Sequence, residues 1–135
     1  MKLKTLAVAA TAAVAMSAGS AMAAGSADAG KKVFKRCMAC HTIKEGGAPK
    51  IGPNLYGAFG SKCGSSDKFS YGGGYKAACD KAGWTWNEDT LMTYLKAPSK
   101  FLSDKAGKQV RSKMTFKLPG KKDRQNVIAY LKSKK

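Results

Sequence analysis

Three stretches of this chain carry a readable pattern of apolar and polar positions. Leu6 to Ala15 is apolar apart from Thr11, with Lys2 and Lys4 before it and Ala21-Met22-Ala23 after it. A positive start, an apolar middle and a small-x-small end are the parts of a secretory signal peptide. The apolar part is mostly Ala, a weak filler for a membrane span that needs ~20 strongly apolar residues, so a cleaved signal over 1–23 is expected rather than a retained anchor. Between Gly30 and Cys40, Val33, Phe34 and Cys37 form a stripe, while Lys31, Lys32, Lys35 and Arg36 face the other way. That spacing predicts a helix, with Asp28 as its N-cap. From Asn87 to Pro98, Leu91, Tyr94 and Leu95 repeat at i, i+3 and i+4; Asn87 caps, Glu88 and Asp89 suit the first turn, and Pro98 stops the helix. Arg111 to Phe116 has no period and runs into Pro119-Gly120, which marks a loop.

Length and charge narrow this picture. The chain has 135 residues, 25 Lys and Arg against 8 Asp and Glu, one His and four Cys. Loss of the signal removes two of the basic residues and none of the acidic ones, which leaves one small, strongly basic domain over 24–135. An exported chain lives where disulfides persist, so periplasmic localisation is expected.

The chemistry concentrates in Cys37-Met38-Ala39-Cys40-His41, a C-x-x-C-H sequence that reads as covalent attachment of a c-type haem. On a helix, Cys37, Cys40 and His41 stand at i, i+3 and i+4 on one face. Two thiols there can add to the two vinyl groups of one porphyrin, and the imidazole reaches the iron from the same side. A thioredoxin-like pair would want a strand before Cys37, and none is patterned there. A zinc site would want a second closely spaced pair, whereas Cys63 and Cys79 stand 16 apart.

His41 is the only histidine, so a second histidine ligand within the chain is excluded. A Met thioether is the soft alternative. Beyond the signal, the methionines are Met38, Met92 and Met114. Met38 sits inside the attachment sequence, and Met92 lies at the margin of a helical face, where it reads as packing. Met114, in the loop, remains as the expected ligand from the far side, the alternative being a loop Met packed on the core.

These residues resemble those of the class I cytochromes c, close to the bacterial cytochrome c2 and mitochondrial group, over nearly all of 28–134. Cys37 to His41 matches the haem motif, and Lys113-Met114-Thr115-Phe116 matches the ligand loop. The resemblance implies an all-α fold of three to five helices around one covalently attached haem c, with little or no sheet. It also implies roles for residues flanking the haem. In Ile51-Gly52-Pro53-Asn54-Leu55-Tyr56-Gly57, Pro53 would accept a hydrogen bond from the ligand imidazole. Phe69-Ser70-Tyr71 and Gly83-Trp84-Thr85-Trp86 suggest Tyr71 and Trp86 as propionate partners. Leu91 to Leu95 places Tyr94 beside the sulfur ligand. Val127 to Lys132 resembles the closing helix, which in the family crosses the first helix at a Gly and an aromatic, here Gly30 and Phe34.

Two features depart from the family. Ser103 to Arg111 adds about seven residues before Ser112, a lengthening that entropy tolerates. The position after Ala58-Phe59-Gly60 is often an arginine and is here Ser61, with Lys62 as a substitute or a wetter propionate pocket as the consequence.

Cys63 and Cys79 remain after haem attachment. An even remainder in an exported chain suggests a bridge, worth ~3 kcal/mol for a loop of about 15 residues, with two free thiols as the alternative. From Lys105 to Lys135 there are 11 Lys and Arg and one acid, Asp123. Part of this charge is a solvated helix face. Lys108, Arg111, Lys113 and Lys117, however, flank Met114, where they would steer docking onto acidic faces of redox proteins. No nucleic-acid reading pattern is present. Transient contact with a membrane surface fits the charge, and a monomer is expected.

Two axial ligands leave no open iron site, so the leading expectation is a one-electron carrier and not an enzyme. Leu55, Phe59, Leu91, Leu95 and Phe116 would keep the ring dry. The resemblance implies a cytochrome bc1-type complex as donor and a photosynthetic reaction centre or terminal oxidase as acceptor. The alternative is a gas-binding or peroxidatic haem protein, favoured by slack in the lengthened loop. A third reading is a domain that works only as a subunit of a larger redox enzyme.

Overall fold

A computed structural model describes residues 25–135; the export-signal reading of 1–23 lies outside them. Five helices are present among the described residues: α1 (Ala27–Phe34), α2 (Gly73–Ala82), α3 (Glu88–Lys96), α4 (Pro98–Ala106) and α5 (Lys121–Lys132). Among the described residues the only β pairing is one isolated bridge, Lys62 to Thr85. The fold is all-α, as expected.

The two ends of the described chain meet where α1 crosses α5. A Cβ on Gly30 would strike the Asn126 carbonyl, so only glycine lets the helix axes approach this closely. Phe34 packs on Tyr130 with ring centroids 5.4 Å apart. Ser26 N donates to Asn126 Oδ1 at 2.9 Å, and Arg36 pairs with Asp123 at 3.2 Å. Around this crossing, Val33, Phe34, Leu91, Leu118, Val127, Ile128 and Leu131 form one buried cluster.

Both predicted boundaries of the first helix shift. Its N-cap is Ser26, not Asp28: Ser26 has extended backbone, and its hydroxyl accepts from Ala29 N at 3.3 Å. Asp28 falls in the first turn, where a negative charge still suits the helix dipole. The helix stops at Phe34 rather than running through Cys40, because the amides of Lys35, Arg36 and Cys37 bond three residues back, to Lys32, Val33 and Phe34. Such bonding tightens the backbone into successive turns. His41 N returns to the four-residue spacing, donating to Cys37 O at 2.9 Å.

The third helix forms where its pattern predicted. Asn87 Oδ1 accepts from Thr90 N and Thr90 Oγ1 accepts from Asn87 N, each at 2.9 Å, a reciprocal cap. Pro98 ends α3 and also opens α4, because a first helical position needs no N–H. α4 runs through much of the lengthened region, so Ser103 to Ala106 is helix, not slack loop. α2 and α4 enclose a second buried cluster of Ala78, Trp84, Phe101, Leu102 and Ala106. Cys63 and Cys79 flank that cluster and are joined as a disulfide with their Cα atoms 5.9 Å apart, as the pairing of the remainder suggested. No helix among the described residues is long and apolar enough to cross a membrane.

Candidate functional site

Between α1, α3, α5 and the loops at 46–72 and 112–118 lies a cavity of about 720 Å³. Its wall is largely apolar, with Leu55, Phe59, Leu91, Leu95 and Phe116 among the contributors. Phe116 is 39% exposed, so it stands at the mouth rather than sealing the interior.

Cys37, Cys40 and His41 all line this cavity although the backbone beneath them is not α-helix. Neither cysteine is in a disulfide, and both are half-buried. Burial pushes the Cys37 thiol up; the Arg36 charge opposes this and Cys40 adds to it. His41 Nδ1 lies 2.8 Å from the Pro53 carbonyl, as the resemblance implied. That bond commits Nδ1 as the donor and leaves Nε2 as the nitrogen able to reach a metal. Burial lowers the pKa of the imidazole, opposed by the Pro53 bond, so the ring is held neutral. Gly52, which sequence reasoning did not single out, packs on the ring: a Cβ there would strike His41 Cε1. Its amide donates to Cys40 O at 2.8 Å, which binds this loop to the attachment sequence. The adjacent Pro53 was the signal that could have drawn attention to it.

Met114 lines the same cavity, delivered by the irregular segment before Pro119. The Tyr94 hydroxyl lies 3.9 Å from its sulfur. Burial raises the Tyr94 pKa, the Ser112 hydroxyl opposes the rise, and Tyr71 adds to it. Met92 packs against the first core cluster, as predicted, and Met38 is 53% exposed. The far end of the Met114 segment is fixed by Leu118 N, which donates to Leu95 O at 2.8 Å. Arg124 reinforces it from α5: its buried guanidinium donates to the carbonyls of Leu118 at 2.8 Å and Pro119 at 2.6 Å.

Tyr71 and Trp86 also reach the cavity. Tyr71 stacks on Tyr75 at 4.5 Å, and its hydroxyl accepts from Ser66 N at 3.2 Å. Trp86 packs on Tyr94 at 4.9 Å. Ser61 lines the wall where an arginine was looked for, with its hydroxyl donating to Ala58 O at 2.6 Å, and Lys62 stands beside it. Ser65 and Ser66 add further hydroxyls that no motif announced.

A planar apolar ring with two acidic arms suits these surroundings. The space lies within the range of cofactor sites, the wall is apolar, and two thiols stand beside an imidazole with one uncommitted nitrogen. The residues present therefore fit a haem. Comparison with known proteins agrees: the family model "Cytochrome c" matches residues 27–135. The chain belongs to the cytochrome c family. This cytochrome is 46% identical over 108 residues to cytochrome c2 of Rhodospirillum rubrum, across 79% of this chain and 96% of that one. It is 46% identical to cytochrome c-550 of Novispirillum itersonii, across 76% and 92%. The solved structure of cytochrome c2 from Rhodospirillum centenum superposes with a TM-score of 0.75 at 33% identity, across 82% and 98%. As a member of this family the cytochrome carries one covalently attached haem c and is an electron carrier.

Proposed function

We propose that the chain is a periplasmic one-electron shuttle, exported by a signal over 1–23 that is removed to leave 24–135. Its haem would be held through Cys37 and Cys40, with His41 and Met114 as the ligands of its iron. The observation that carries this reading is that His41, with Nδ1 committed to Pro53, and Met114 line one cavity with the two thiols.

Bound there, the haem supplies the one-electron couple; a thioether ligand favours its reduced state. The chain's residues do the rest. Pro53 and Gly52 fix the imidazole, and the Tyr94 hydroxyl addresses the sulfur. Leu55, Leu91 and Leu95 exclude water, while Tyr71 and Trp86 offer polar edges to the propionates. The ordered course of α4 supports a held sixth ligand over a displaceable one, since Ser103 to Ala106, the first part of the lengthened segment, is helix.

Lys113 and Lys117 are exposed on either side of Met114, and they support docking onto acidic faces of redox proteins. A bc1-type complex upstream and a reaction centre or oxidase downstream are the partners of this reading. Electron-transfer rates with such partners fall steeply as ionic strength rises; a flat profile contradicts steering.

One sample tests the centre. Mass spectrometry of periplasmic protein should give residues 24–135 plus one haem. The oxidised protein should show the weak far-red absorption of iron–thioether coordination, and Met114→Ala should abolish it. A wild type without that band, with high-spin iron, contradicts the ligand set.

A further inference from the structure

Beyond Ala106 the chain turns at Gly107, which is left-handed with φ +66°, and runs back beside α4 to Ser112. Two hydroxyls of α4 hold this return. Ser103 Oγ accepts from Val110 N at 3.0 Å and donates to Ser99 O at 2.8 Å. Ser99 Oγ accepts from Ser112 N at 3.0 Å, and Ser112 Oγ accepts in turn from Met114 N at 3.1 Å. The opposite flank is closed by the start of α2. A Cβ on Gly74 would strike the Arg111 carbonyl, and one on Gly72 would meet Lys113 Cγ at 2.9 Å. The approach to Met114 is thus pressed between a glycine surface and a pair of serines.

We infer that Ser99, backed by Ser103, is a positioning residue for Met114: the α4 hydroxyls latch the returning segment and set how readily the sulfur leaves its place. The inference deepens the His41 and Met114 reading and rests on it. The decisive bond lies two residues before the sulfur, at an amide whose residue is only 9% exposed. A buried donor that loses its acceptor keeps the whole desolvation penalty, so opening the segment becomes easier when Ser99 loses its hydroxyl. The same hydroxyls explain how a lengthened segment stays ordered. Val110 and Ser112 are tied to Ser103 and Ser99, and the free span is reduced to the turn at 107–109.

Imidazole in solution competes for a sulfur-ligated iron only when the sulfur withdraws, so its affinity for the oxidised holoprotein reads the opening of this segment. Ser99→Ala should bind imidazole about fivefold more tightly than wild type, the effect of one hydrogen bond of ordinary strength. Ser103→Ala should move in the same direction, and Ser99→Thr, which keeps the hydroxyl, should stay near wild type. Amide exchange in the reduced holoprotein should quicken at Ser112 and Val110 while amides at the α1–α5 crossing stay unchanged. Unchanged affinity and exchange in both alanine variants overturn the inference, as does equal acceleration at the α1–α5 crossing, which signals general loosening. Those results, in a wild type that shows the thioether band, count against the latch alone. Absence of that band overturns the Met114 ligation itself.

Discussion

The Tyr94 hydroxyl and the Met114 sulfur, 20 residues apart in sequence, lie 3.9 Å from one another across the cavity wall. The hydroxyl's proton points its positive end at the sulfur and draws electron density from it. With Met114 as the proposed iron ligand, such a contact would weaken the thioether as a donor and favour the reduced iron. Tyr94→Phe should therefore lower the reduction potential by about 40 mV, the one-electron equivalent of a hydrogen bond of about 1 kcal/mol. Voltammetry of the two proteins checks both the sign and the size.

The crossing of α1 on α5 leaves no room for a methyl group at Gly30, because the Asn126 carbonyl already occupies the position of a Cβ. Gly30→Ala must push the helices apart or bend one of them, and overpacking of this kind destabilises by about 1–3 kcal/mol. Denaturant unfolding of the holoprotein should show a lower midpoint with an unchanged slope.

Alkaline stability should carry the signature of Tyr75, whose phenol stands partly buried beside Tyr71 and accepts from Gly64 N at 3.1 Å. Burial is the main cause that pushes its pKa from 10.0 to about 12. The folded state thus holds the proton more tightly than the unfolded chain. The resulting stabilisation is full below pH 10 and disappears as pH rises from 10 to 12. Tyr75→Phe has no proton to lose, so its stability should fall less over that interval. Unfolding midpoints across the alkaline range measure the difference.

The Cys63–Cys79 bridge joins the loop before α2 to the last turns of that helix, at a sequence separation of 16. Replacing both cysteines with serine should cost about 3 kcal/mol of holoprotein stability. The visible spectrum should persist, because neither cysteine lines the cavity. Thermal unfolding followed at the haem absorption separates the two effects.

Much of the site was legible because its chemistry is local. Cys37, Cys40 and His41 sit within five residues, and elimination among few methionines pointed to Met114, which lines the same cavity. Asn87 announced α3 because a cap is a contact between near neighbours. α2 was not legible: Gly72-Gly73-Gly74 reads as a breaker, yet Gly73 and Gly74 open a helix, and the contact made by Gly74 lies nearly forty residues downstream at Arg111. Tertiary packing outweighed propensity there. The serines at 99, 103 and 112 were unreadable for the same reason, since hydroxyl spacing alone does not reveal a chain folding back. Ser26 outcompeted Asp28 as cap through backbone shape, which the residue types leave open.

The meeting of α1 and α5 also governs when folding can finish. Ser26 and Asn126 are 100 residues apart, and the glycine at 30 fits nothing but the last helix. A growing polypeptide therefore has no mate for its opening helix until the twelve residues of α5 have left the ribosome. Until that moment α1 lacks its packing partner, so this crossing is among the last contacts the chain can close.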